Sequence, residues 1–299
     1  MKTRLGIFVS ALLILPMAGL LLSGRDWNEI GNGIGAADGS ILATFAALAA
    51  LLGYALLINQ LVKIRTGSNP FITQRKYFLA TSGASAVLGW LLAYLNLFAA
   101  SWSSEQDNSL TQLLLCSLVY ALLAPAVLIT RALIGSFAGL LKFLARGITL
   151  PLHRREHPPF GLLSVAMLAL LAGAVWPAQI FWLFWVAPLL LLIALQLLWH
   201  ESTVFSALKS GDWGRVICAS LAGVAVGNLA VVSYQAAGGS LAINLPSTFL
   251  AQLGFALFGL LCLQLGDIIA ENWRGKQRPG KKKKFPIPVV VEPFTRKKD

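Results

Sequence analysis

The chain is poor in charge. Asp, Glu, Lys and Arg make up 12% of its 299 residues, about half the share of an ordinary soluble domain. Water is therefore excluded as the solvent for most of its surface. Cysteine is scarce too: Cys116, Cys218 and Cys262 each stand in an apolar run with no C-x-x-C partner. That spacing excludes a disulfide framework and a zinc site, and no cofactor is expected. Acidic residues are few, 12 against 24 Lys and Arg, for a net charge of +12. The excess is distributed as for a membrane surface, so nucleic acid is not expected as a partner.

What is present is apolar: 57% of the residues are hydrophobic, and the mean hydropathy is +0.73. At about 20 residues per span, the runs predict eight transmembrane helices in an all-α polytopic bundle over residues 1–272. They are Leu5–Ser23, Ile41–Val62, Tyr77–Trp102, Leu110–Thr130, Phe160–Trp176, Gln179–His200, Arg215–Tyr234 and Pro246–Ala270. A basic, proline-containing tail follows over 273–299. The first run exceeds the apolar core of a secretory signal and has Leu22 where a small residue is wanted, so an uncleaved anchor is expected. With the N-terminus inside, the outer loops hold a single basic residue, Arg25, against Asp26, Glu29, Asp38, Glu105 and Asp107. The positive-inside rule then places both ends in the cytoplasm. Trp102, Trp176 and Tyr234 fall at outer ends and Trp199, Trp213 and Trp273 at inner ones, as aromatic belts would. A bacterial inner membrane is the expected location.

The spans differ in chemistry. Ala219, Gly223 and Gly227, four apart, make a small-residue face for close helix packing. Ser85 and Gly89 repeat the pattern in the third span, whereas Phe181, Trp182, Phe184 and Trp185 make the sixth bulky all round. Small-residue helices are expected at the centre of the bundle and the aromatic one at its edge or at a partner.

Two apparent motifs fail on context. His153-Arg154-Arg155-Glu156-His157 fits the H-x-x-E-H metalloprotease pattern, but Pro151, Pro158 and Pro159 deny it the helix that the chemistry needs. The glycine-rich stretch Gly31–Gly39 has no strand before it, as a nucleotide fingerprint requires. Candidate sites are therefore polar groups at bilayer depth. Asp267 and Glu271 share one face near the inner end of the last span, at the level of His200 and Glu201. Intramembrane carboxylates are candidates for proton or cation sites, but here they are expected to form a juxtamembrane network with Arg274 or Lys276. The amides Asn59, Asn96, Gln196, Asn228, Gln252 and Gln264 are expected to bond between helices or to line a path.

Arg131, Lys142 and Arg146 fall on one side of an apolar helix continuing from the fourth span, which predicts a segment lying on the anionic inner leaflet. Lys281, Lys282, Lys283 and Lys284 are expected to bind the same lipids by charge. After them, Phe285, Val289, Val290, Val291 and Phe294, set among prolines, suit an extended strand that pairs with a partner protein. The functional expectation is a non-catalytic membrane subunit that binds or organises protein partners. A transporter or flippase for a small or lipid-linked substrate is the alternative, and an enzyme acting on a lipid within the membrane stands behind both.

Overall fold

A computed structural model describes residues 36–104, 109–149, 158–199, 201 and 203–273. These residues form a mostly helical multi-pass membrane bundle. Five helices are long and apolar enough to cross a bilayer: α1 (Ala36–Thr66), α3 (Arg75–Ala99), α4 (Leu110–Ile134), α9 (Gly214–Ala236) and α10 (Thr248–Trp273). Two shorter apolar helices, α6 (Pro158–Val175) and α8 (Leu183–Leu198), pack against each other beside them. Short helices α2 (Pro70–Thr73), α5 (Ala138–Leu144) and α7 (Pro177–Ile180) and a 3-10 turn at Ser206–Ser210 complete the order. Helix is the form dictated by an apolar chain in lipid, because each backbone group finds its partner within the segment.

The expected all-α class needs one addition. The loops after α3 and after α9 form an antiparallel pair, β1 (Trp102–Ser104) and β2 (Leu241–Ile243), with Trp102 opposite Ile243 and Ser104 opposite Leu241. Extended backbone at the end of a bundle must also satisfy its donors and acceptors, and here the two loops satisfy each other. The sheet marks one end of the molecule. All described Lys and Arg residues lie toward the other, which we call the basic end.

Close packing centres on α9 and α10. A Cβ placed on Gly223 would stand 2.3 Å from the Phe255 carbonyl oxygen, and one on Gly259 would stand 2.2 Å from that of Ala219. The small-residue face thus brings the two backbones together, with Gly227 against the Phe255 ring. In α3, Ser85 Oγ donates to the Tyr120 carbonyl at 2.5 Å and accepts from the Ala124 amide at 3.0 Å. Gly89 receives the Tyr120 ring. These small residues lie at helix contacts.

Three expectations are corrected. The fourth span and the basic segment are not one helix: α4 ends at Ile134, Ser136 Oγ donates to the Leu133 carbonyl at 2.7 Å, and α5 begins only at Ala138. The turn is further held by Phe137, whose ring lies under the Arg65 guanidinium at 3.9 Å. The sixth span is broken at Phe181–Trp182, between α7 and α8. Its aromatic side chains are not all peripheral, because Phe184 is buried against Gly173 while Trp182 remains exposed. Finally, Tyr234 is not a belt residue. It is buried with Ala43, Ala47 and Ala237 under the sheet.

Candidate functional site

Two places combine polar chemistry with membrane depth, one at each end of the bundle. At the basic end the antiparallel pair α9 and α10 carries Arg215 opposite Asp267, and the two form a salt bridge with side chains 30% and 23% exposed. Arg131, in the last turn of α4, lies within electrostatic reach of both. Glu271 stands one turn beyond Asp267 and also acts on it. The Tyr77 hydroxyl rests on Gly266, where an added Cβ would approach it to 2.5 Å.

Asp267 therefore has its cation inside the bundle. The expected partners, Arg274 and Lys276, lie outside the described residues, and Arg215 holds the carboxylate from the neighbouring helix. The pairing follows from the helix contact rather than from the sequence. Equal steps from the Gly223–Gly259 contact, taken toward the basic end along both helices, arrive at Arg215 and Asp267. Arg131 belongs to this cluster, whereas Lys142 and Arg146 are exposed on and after α5. Glu201 is half-buried, and its amide donates to the Gln196 carbonyl at 2.8 Å. His200 lies outside the described residues, as do Lys281, Lys282, Lys283, Lys284, Phe285, Val289, Val290, Val291 and Phe294.

All six intramembrane amides make hydrogen bonds. Asn228 and Gln252 join α9 to α10 by a reciprocal pair at 2.6 and 2.9 Å. Gln264 donates to Gln196 Oε1 at 2.5 Å between α10 and α8, with both residues fully buried. Asn59 donates to Asn69 Oδ1 at 2.9 Å and accepts from the Phe71 amide at 3.3 Å, which fixes the turn into α2. Asn96 donates to the Trp102 carbonyl at 2.8 Å and accepts from its amide at 3.3 Å, which anchors β1 on α3.

The second place is a cavity of about 310 Å³ toward the sheet end. Helices α1, α3, α4, α8, α9 and α10 all contribute to its wall, and Trp102, Ser104, Leu241 and Ile243 bring the sheet to it. Toward the middle of the bundle the wall is Leu92, Leu123, Leu257, Phe258 and Leu261. Polar groups gather near the sheet: Thr44, Asn96, Ser101, Ser104 and Tyr234, with Ser104 Oγ and the Tyr234 hydroxyl 3.3 Å apart. Among the described residues, the wall holds no Asp, Glu, Lys, Arg or His.

Sequence reasoning missed this cavity, because its wall is composed of the same leucines and phenylalanines that fill any membrane bundle. A volume near the lower end of the usual 300–1,000 Å³ range and an apolar wall with a few polar groups at one side suit a small apolar ligand. Among the described residues no group of three or more His, Cys, Asp or Glu could hold a metal. Comparison with protein-family models, curated proteins and solved structures finds no match to this chain.

Proposed function

We propose that this protein binds the apolar portion of a lipid inside its helix bundle. It would act as a lipid-handling membrane protein of the transporter or flippase kind rather than as an enzyme. The supporting observation is the cavity, which is walled by six helices and mostly apolar, with polar groups near the sheet and Cys116 and Tyr120 farther along α4. A lipid chain entering it leaves one apolar medium for another, so the gain comes from dispersion contacts with a shaped wall and not from leaving water.

The proposal includes an orientation. Every described Lys and Arg stands at the basic end, so the positive-inside rule puts that end in the cytoplasm and the sheet outside. The seven apolar helices over 36–273, with the run Leu5–Ser23 added before them, would make eight spans with both ends inside. Cysteines confined to apolar runs and compact loops also suit a bacterial inner membrane.

A second reading is a subunit that organises protein partners. It draws its support from the tail sequence Phe285–Phe294, where three valines stand between prolines.

Organic extraction of the purified protein tests the cavity reading. A defined lipid or isoprenoid should be recovered at near-stoichiometric amount from the wild type. Much less should come from Ala230→Phe, which adds a ring to the cavity wall. Equal recovery from two equally stable proteins would place that lipid on the outer surface and remove the reading.

A further inference from the structure

The cavity stops partway along the bundle. Its wall runs from Ala251 to Leu261 on α10, from Cys116 to Leu123 on α4 and from Gly89 to Ala99 on α3. Helices α4 and α10 run side by side in one direction, with Leu128 packed on Gly266. Equal steps back from that contact reach Leu123 and Leu261, which therefore stand at one level. Gly89, under the Tyr120 ring, lies one turn nearer the sheet. With Phe258 between these levels, the inner end of the cavity is an apolar floor.

Past the floor the core is closed, because Ala124, Val127 and Cys262 are fully buried. The floor is also held in place. One turn beyond Gly89, Ser85 Oγ joins the Tyr120 carbonyl to the Ala124 amide at 2.5 and 3.0 Å. On the other side, the backbones of α9 and α10 touch at Gly223 and Gly259. Interiors packed this closely do not stretch to admit extra atoms.

Depth gives the floor a meaning. From Ala251 to Leu261 the wall covers roughly 15 Å at the helical rise of 1.5 Å per residue. The hydrocarbon core of a bilayer is about 30 Å thick, so the chains of one leaflet fill about 15 Å of it. Leu261 also lies near the midpoint of α10, Thr248–Trp273. The cavity thus reaches from one interface to the middle of the bilayer.

Resting on the cavity reading above, we infer that the cavity is a ruler for the chain of a single leaflet. Leu123, Phe258 and Leu261 stop the methyl end of the chain. The ligand is an acyl-chain lipid of ordinary length and not a long polyisoprenoid, which would have to pass the closed core. A longer chain leaves methylenes outside, and a shorter one leaves wall atoms without contacts. Selection falls away on both sides of the matched length.

The test uses the full-length protein in nanodiscs of zwitterionic phospholipid. The probes are methyl esters of straight-chain fatty acids, from decanoate to docosanoate, each with a diazirine at its methyl end. Labelling of Leu123, Phe258 and Leu261 should peak near palmitate. It should fall at least about fivefold by docosanoate, whose surplus methylenes find no wall to touch. Leu123→Ala leaves a space that its surroundings only partly fill, so the peak should move about two to three methylenes longer. Val119→Phe, on the wall one turn above Leu123, should move it to shorter chains. A wild-type profile without a peak overturns the ruler, and this arm needs no variant to fold. A peak that stays in place in either folded variant overturns it as well. Both results leave the cavity reading standing. If no ester labels the cavity, the ruler and the reading beneath it fail together.

Discussion

Replacing Gly223 by Ala should destabilise the protein measurably, although the change adds a single methyl group. The new Cβ would stand 2.3 Å from the Phe255 carbonyl oxygen and 2.6 Å from both Gly259 N and Cα. These are backbone atoms of α10, so no rotamer change relieves the clash. Non-bonded heavy atoms favour separations of about 3.5–4.0 Å, so the two helices must part by roughly 1 Å. Parting weakens the reciprocal Asn228–Gln252 pair on the same helix contact, where each amide bond is worth about 0.6–2 kcal/mol in a membrane. Overpacking of this kind costs about 1–3 kcal/mol, and part of the amide energy adds to it. The expected loss is about 2–4 kcal/mol, read as a several-degree fall in thermal melting in a mild detergent. Gly83→Ala supplies the control, because nothing lies within 4 Å of a Cβ at that position. It should be neutral or gain up to about 1 kcal/mol from helix propensity. If Gly223→Ala melts with Gly83→Ala and the wild type, the close approach of α9 and α10 is wrong and the glycine face has another purpose.

Asp267→Asn should cost about 1–2 kcal/mol by leaving Arg215 without its carboxylate, below the 3–5 of a fully buried pair because water reaches both side chains. Adding Arg215→Met should recover part of the loss, and strict additivity of the two changes in denaturation would argue against their pairing. Reporter fusions after Asp107 and Gln235 should give outside signals and one after Asp299 an inside signal; an outside signal at Asp299 would force a recount of spans. Replacing Lys281, Lys282, Lys283 and Lys284 by Gln should weaken contact with anionic vesicles and make the remainder less salt-sensitive. Val290→Pro should reduce co-purifying protein without changing lipid contact, and loss of neither on deleting everything after Lys284 would end the partner reading.

What the sequence determined by itself follows from the cost of burying backbone and charge in lipid. Low charge and long apolar runs require helices wherever the chain crosses the bilayer, so the seven described apolar helices lie close to their expected places. The small-residue face at Ala219, Gly223 and Gly227 was legible for the same reason, because only glycine and alanine admit a neighbouring backbone so closely. Asp267 was legible as a charged group on an apolar helix. Its partner was not, since that depends on which helix lies beside α10, and hydropathy is silent about neighbours. Periodicity also carried the basic face of Arg131, Lys142 and Arg146 across the turn at Gly135–Phe137, which contacts from Ser136 and Arg65 hold in place. The cavity depended on tertiary structure most of all. A leucine that lines a space and a leucine that fills one are identical in sequence, and only the mutual placement of six helices and a two-stranded sheet leaves room beside Ser101.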